Sequence, residues 1–188
     1  TAQVAALDAI DIPALDNAQI AALTTAQVRV LNFAQLSAFS TGQLRALETE
    51  DVAALTTDQI VGLSLLQVGS LSALQIAALG TAQVRALSIE QVEVLTAAQF
   101  DALVTTVLVA MTTDQIATLS SAQVAALKTA QIEALTTAQL VALDSADVAA
   151  LSAAQVAALT TAQALAMTIE QVTALSTAQL QAMQTVDL

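Results

Sequence analysis

The sequence predicts an all-α solenoid of very short helices, because an eight-residue motif recurs from one end of the chain to the other without a break. A large apolar residue, Leu in most copies, occupies every eighth position from Leu7 to Met183. A second apolar series lies three residues earlier and runs from Val4 to Leu188, interrupted only by Ala164. The position before that series is Gln in 19 of 24 copies, Asp in four and Val in one. The unit reads Ser/Thr-Thr-Ala-Gln-Val-x-Ala-Leu.

One continuous helix does not fit an eight-residue period. Eight residues exceed two full turns of an ideal helix by about 80°. The apolar stripe would therefore wind around such a helix and face water over most of its length. A coiled coil is excluded for a related reason, since it needs a period of seven or eleven residues.

A short helix that restarts in every repeat does fit, because the start signal is present. The first position of the repeat is Ser, Thr, Asp, Asn or Gly in 19 of 23 cases, and these are the preferred N-cap residues. The glutamine three residues later completes a capping box, in which two side chains satisfy each other's backbone N–H groups. Predicted structural caps include the pairs Thr24 and Gln27, Thr56 and Gln59, and Thr136 and Gln139.

A helix of five to seven residues is unstable alone, so each repeat must stack on its neighbours. We expect residues 1–188 to form a single array of about 23 repeats, itself part of a longer array. The number of helices in one coil is two or three. Pairs of threonines at 112–113, 136–137 and 160–161 recur in every third repeat, which favours three.

The acidic residues agree with frequent helix starts. Thirteen of the 16 acids lie at the cap or at the second or third helical position, where negative charge is favourable. The cluster of Glu48, Glu50 and Asp51 has the oxygen ligands that Ca²⁺ prefers. It lacks a calcium-loop spacing and coincides with a helix start, so we interpret it as capping. No metal and no cofactor is expected.

Composition excludes several function classes. Four cations against 16 acids give a net charge of −12, which does not suit a nucleic-acid partner. Uncharged stretches at 59–84 and 148–169 carry Gln and Ser/Thr in every repeat, so no membrane span is expected. The chain has no His and no Cys, and Lys128 is its only lysine. We therefore expect no enzyme activity.

Departures from the repeat are the best pointers to an interaction site. Gly62, Gly69 and Gly80 fall in one stretch, and Leu65, Leu66 and Leu74 replace the usual Thr or Ala there. The three leucines form the candidate interaction surface, with local repacking or a bend as the alternative. Pro13 indicates a distorted end repeat or a terminal cap. Val104 and Val107 remove both halves of one capping box, which neighbouring repeats can tolerate.

Stretches such as 23–28 (Leu-Thr-Thr-Ala-Gln-Val) and 135–140 (Leu-Thr-Thr-Ala-Gln-Leu) resemble the Ala/Thr/Gln-rich repeats of large exported bacterial proteins, some labelled adhesins or heme-utilisation proteins. The resemblance implies an extracellular or cell-surface location and no catalytic residues. Heme use gains no support, because His, Cys and Tyr are missing.

Three functions follow as expectations. The leading one is a structural array, such as a spacer, stalk or surface-layer element, with the protein itself as partner through neighbouring repeats or end-to-end assembly. The alternative is an adhesin module that binds a protein or glycan on one face. A minor alternative is ice binding by a threonine row comprising Thr25, Thr41, Thr49, Thr57, Thr81, Thr113, Thr129 and Thr137.

Overall fold

The fold is all-helical, with one short helix in each eight-residue repeat. A computed structural model describes residues 2–183 and shows no strand in that range. The helices within it are α1 (Ala2–Ala5), a 3₁₀ helix (Ala9–Ala14), α2 (Asn17–Ala21), α3 (Thr25–Val28), α4 (Phe33–Ser37), α5 (Thr41–Ala46), α6 (Thr49–Ala54), α7 (Thr57–Gly62), α8 (Leu65–Ser70), α9 (Ala73–Ala77), α10 (Thr81–Ala86), α11 (Ile89–Glu93), α12 (Ala97–Ala102), α13 (Thr105–Leu108), α14 (Thr113–Ala117), α15 (Ser121–Ala125), α16 (Thr129–Ala134), α17 (Thr137–Ala142), α18 (Ser145–Ala149), α19 (Ala153–Ala157), α20 (Thr161–Ala166), α21 (Ile169–Ala174) and α22 (Thr177–Ala182).

Extended residues at both ends keep the helices short. In α17 the N-cap Thr136 has φ −68° and ψ 156°, and Leu143 after the last turn has φ −65° and ψ 141°. Both pairs of angles lie in the extended region, so the chain turns at the leucine and the next cap begins a new helix. No residue in the described range needs a positive φ to make these corners.

The repeat that contains Pro13 departs from the others by forming a 3₁₀ helix over Ala9–Ala14. Proline has no N–H to donate to the carbonyl four residues earlier, and its ring clashes there. Bonds of the 3₁₀ type form on either side of Pro13 instead, from the Asp11 N–H to the Asp8 carbonyl oxygen at 3.0 Å and from the Leu15 N–H to the Ile12 carbonyl oxygen at 3.1 Å.

Each helix packs on the helix three repeats away along the chain, as in α2 on α5, α5 on α8, and α18 on α21. One coil therefore contains three helices, one from each of three consecutive repeats. This packing decides the question that the sequence left open.

The core consists of the two apolar series. The residues at the Val position are almost fully buried from Ile12 to Val156, as Ile20, Ile76 and Ile132 show, whereas Val172 and Leu180 are partly exposed. The leucines at the corners, such as Leu127 and Leu151, are also buried. Contacts divide the chain into two compact units, with the boundary in the sequence between Leu95 and Thr96, and each is described separately. That both belong to one array stays a prediction.

Candidate functional site

The predicted caps form two hydrogen bonds in each pair. The Gln59 backbone N–H donates to Thr56 Oγ1 at 3.2 Å, and the Thr56 backbone N–H donates to Gln59 Oε1 at 2.8 Å. Thr24 and Gln27 make the same exchange at 3.3 and 2.8 Å. The corresponding distances for Thr136 and Gln139 are 3.1 and 3.0 Å. Each glutamine carbonyl oxygen is thus occupied by its own helix.

The amide nitrogens of most of these glutamines bind a different coil. Gln59 Nε2 donates to the carbonyl oxygens of Val28 and Leu31 at 2.9 and 2.8 Å. These carbonyls belong to the end of a helix in the preceding coil, where no further helical N–H reaches the Leu31 oxygen. Interior glutamines with this pair of bonds to the Val and Leu positions are Gln35, Gln43, Gln59, Gln67, Gln75, Gln83, Gln91, Gln131, Gln155, Gln163 and Gln171. We call these bonds the glutamine ladder.

Sequence reasoning missed the ladder, although a signal for it was present. A capping box accepts Glu as readily as Gln, yet none of the 24 positions holds Glu. Only the amide can accept a hydrogen bond at one atom and donate two at the other. The preference for Gln over Glu therefore indicates that the side-chain N–H groups, which the cap does not use, donate hydrogen bonds elsewhere.

Two aspartates occupy ladder positions and change the chemistry there. Asp51 and Asp147 are both buried. Burial raises the pKa of Asp51, and Glu48 and Glu50 raise it further. Burial also raises the pKa of Asp147, although a hydrogen bond from Ser121 Oγ at 2.7 Å opposes the rise. An ionised carboxylate cannot donate to the carbonyls of the preceding coil, so these coils lack the usual bonds.

Other departures are accommodated locally. At Gly80 the cap side chain is missing, but its backbone N–H still donates to Gln83 Oε1 at 2.7 Å. Val104 provides no side-chain cap for α13, and Val107 is buried in the ladder position. Lys128 Nζ donates to the Asp101 carbonyl oxygen at 2.7 Å and lies 3.5 Å from its carboxylate.

Two leucines of the candidate interaction surface line an apolar groove between α8 and the C-terminal end of α11. The groove has a volume of about 460 Å³ and is lined by Leu65, Leu66, Gly69, Ser70 and Val94. Leu66 is 75% exposed. Gly69 lines the groove beside Val94, and a Cβ there would lie at an ordinary contact distance of 3.5 Å from the Val94 carbonyl oxygen. The structure therefore brings Leu65 and Leu66 together.

Leu74, the third leucine of the predicted surface, is not part of that groove. It is 74% exposed on α9, which packs on α6 rather than on α8. Because Leu66 and Leu74 occupy the same position of their repeats and are equally exposed, they form a matched pair for experiments.

A second cavity of about 210 Å³ lies between α4 and α7, next to Phe33. The exposed Phe33 ring covers Gly62, and a Cβ at Gly62 would come within 2.9 Å of it. Most repeats have a small residue at the position of Phe33 and Ala at the position of Gly62. Glycine at position 62 thus makes space for the larger Phe33 ring.

The threonine row does not form one surface. Within the first compact unit the threonines lie on three different faces, because each coil has three helices. Thr25 and Thr49 begin the packed helices α3 and α6, Thr57 and Thr81 begin the packed helices α7 and α10, and Thr41 begins α5 on the third face. Ice binding needs a regular row on one face, so the arrangement gives this alternative no support.

Within residues 2–183 no group of three or more acidic, His or Cys side chains is arranged to hold a metal ion. No helix in that range is long and apolar enough to cross a membrane.

Comparison with known proteins identifies the repeat. The family model described as the ALTTAQ repeat matches residues 4–41, 12–49, 30–65, 44–81, 68–105, 97–129, 108–144, 124–153 and 140–177. The overlapping matches cover all but the ends of the chain. A search of curated proteins found no match.

Proposed function

Since the chain belongs to the ALTTAQ repeat family, we propose that this structural repeat array is a spacer, stalk or surface-layer element of an exported bacterial protein. The proposal includes a location outside the cell or on its surface, and no enzyme activity. The absence of His and Cys from the sequence supports the last point.

The glutamine ladder is the observation that carries this proposal. Within each compact unit it connects successive coils by the same kind of bond, so a coil needs only its neighbours to be stable. The number of repeats can then set a length without changing any local contact. A spacer requires that property, and a catalyst does not.

Duplication of residues 129–152 in the full chain tests the spacer function. This insert is one whole coil of three repeats, and it keeps every glutamine in phase. The maximum dimension from small-angle X-ray scattering should increase by about 9 Å, the distance between packed helices. The melting temperature should not fall.

A duplication of residues 129–140 is the control, because one and a half repeats place the following helices half a unit out of phase. It should lower the melting temperature. The spacer proposal is wrong if the in-phase insert thickens the particle without lengthening it, or if it destabilises the chain as much as the control does.

Protein binding on one face is the second candidate function. The groove of Leu65 and Leu66 favours a protein over a glycan, because its lining offers mainly apolar surface. Leu66→Ser should abolish capture of such a partner while Leu74→Ser preserves it, and equal binding by both variants would refute this function.

A further inference from the structure

The face formed by α5, α8 and α11 includes the apolar groove and has a charge pattern centred on α8. Arg45, Gly69 and Glu93 occupy the same position of the repeat on these three successively packed helices. Arg45 and Glu93 are both exposed. The face thus has a cation on one side of α8 and an anion on the other, each one helix away from Gly69.

This arrangement is complementary to itself. We propose that the groove is a docking surface for a second copy of this chain, in a two-fold dimer whose axis runs along α8. Such a rotation reverses the order of the coils, so that Arg45 of each copy lies opposite Glu93 of the other. Leu66 then meets Leu66 of the second copy, and the two glycines at position 69 allow the helices to approach closely.

A second position of the repeat agrees with the same axis. Gly42, Leu66 and Glu90 share that position on α5, α8 and α11. The rotation places Glu90 opposite Gly42 of the second copy, where the neighbourhood of the glycine is open. A two-fold axis perpendicular to α8 would instead place Glu90 opposite Glu93 and create like-charge contacts, which are unfavourable.

The area of the face sets the strength of the dimer. Helices of five or six residues are about 8–9 Å long, and three packed helices span roughly 20–25 Å. The buried area is therefore well below the total of about 1,200 Å² found in stable complexes. We expect a weak dimer with a dissociation constant on the order of 100 µM.

Sedimentation equilibrium of the full chain, over concentrations that span this dissociation constant, tests the proposal. A monomer–dimer equilibrium is expected. Leu66→Ser should raise the dissociation constant at least tenfold, whereas Leu74→Ser, its equally exposed counterpart outside the groove, should leave it unchanged. Far-UV circular dichroism and melting of each variant establish that the fold is retained.

Charge reversal tests the direction of the axis. Arg45→Glu and Glu93→Arg should each weaken the dimer. In either variant, residue 45 of each copy would face a residue 93 of the same charge in the other copy. An equimolar mixture of the two variants should recover association, since both cross-pairs in the mixed dimer become attractive. Glu133→Arg reverses an exposed acid at the same repeat position in α16 and should have no effect.

Several results would overturn the proposal. One is a monomer at concentrations tenfold above the expected dissociation constant, and another is equal weakening by Leu66→Ser and Leu74→Ser. A mixture of the charge variants that fails to associate would contradict the axis. Oligomers that grow beyond a dimer and ignore Leu66→Ser would assign association to another surface.

Discussion

Replacement of Gln75 by Glu would separate the two functions of a ladder glutamine. Gln75 is buried, its Oε1 accepts from the Ser72 backbone N–H at 2.9 Å, and its Nε2 donates to the carbonyl oxygens of Leu44 and Leu47, each at 2.9 Å. A glutamate side chain can still accept the cap bond. It cannot make the two bonds to the preceding coil when it is ionised.

The expected loss follows from those two bonds. The Leu47 carbonyl would lose its donor, at a cost of about 1–3 kcal/mol of unfolding free energy. The Leu44 carbonyl keeps the Leu47 backbone N–H at 3.3 Å, so the lost bond there costs about 0.5–1.5 kcal/mol. Burial of the carboxylate charge adds to this at pH 7. Gln75→Met removes the same donors without adding a charge, but it also removes the cap acceptor of the Ser72 backbone N–H, so its loss should not depend on pH.

The loss should depend on pH in Gln75→Glu alone. Burial raises the pKa of the new carboxyl in the folded state above its value in the unfolded chain. The penalty is therefore complete above the folded-state pKa and shrinks as the pH falls through it. Urea unfolding at pH 7 and pH 4, followed by circular dichroism, measures the difference from wild type at each pH.

Gln27→Glu is the matched control. Gln27 makes the same cap bonds to Thr24, but its side chain is only partly buried and no bond from its Nε2 to another coil occurs in the described residues. Its replacement should change the unfolding free energy by less than about 0.5 kcal/mol. Equal losses at positions 27 and 75 would refute the inference that the bonds between coils stabilise the array.

Three further predictions follow from particular positions. Asp147→Gln should raise the unfolding free energy at pH 7 by about 1–2 kcal/mol, because a donor replaces a buried carboxylate. Because burial raises the pKa of Asp147, protonation should restore part of the lost stability to wild type as the pH falls through that pKa, and the difference in unfolding free energy from Asp147→Gln should shrink. Urea unfolding curves of both proteins at pH 7 and pH 4 measure this difference. Ile132→Ala removes a fully buried side chain and should cost about 2–5 kcal/mol in urea unfolding, whereas exposed Val61→Ala should cost less than about 1 kcal/mol. Gly62→Ala should leave the stability of the wild type almost unchanged, because the gain in helix propensity is offset when the new Cβ displaces the Phe33 ring. In a Phe33→Ala background the same change should stabilise the protein by about 1 kcal/mol. A double-mutant cycle measured by thermal unfolding that shows no coupling between the two positions would contradict this contact.

The helices themselves were predictable because their signals are local. The cap of α7 depends on Thr56 and Gln59, which are three residues apart and face each other in any helix that begins there. The fold class predicted from the repeat, an all-α solenoid with one helix per unit, is confirmed by the helices of residues 2–183.

The candidate surface was predictable only in part. Leu65, Leu66 and Leu74 were selected as unusual residues in one stretch of sequence, and all three are exposed. Their division between two faces depends on the number of helices in a coil. With three helices, α8 meets α11 rather than α9, so Val94 completes the groove and Leu74 does not.

The sequence by itself determined where each helix begins, which residues are buried and that every repeat must stack on others, because these properties arise within a single repeat. The tertiary structure alone decided the three-helix coil, the second hydrogen-bonding partner of each ladder glutamine and the charge pattern around Gly69. Those features join residues at least three repeats apart, as in the bonds from Gln75 to Leu44 and Leu47. A repeat of identical units gives the same local pattern for two or three helices per coil, so only the packed coils can show which carbonyls a given amide meets.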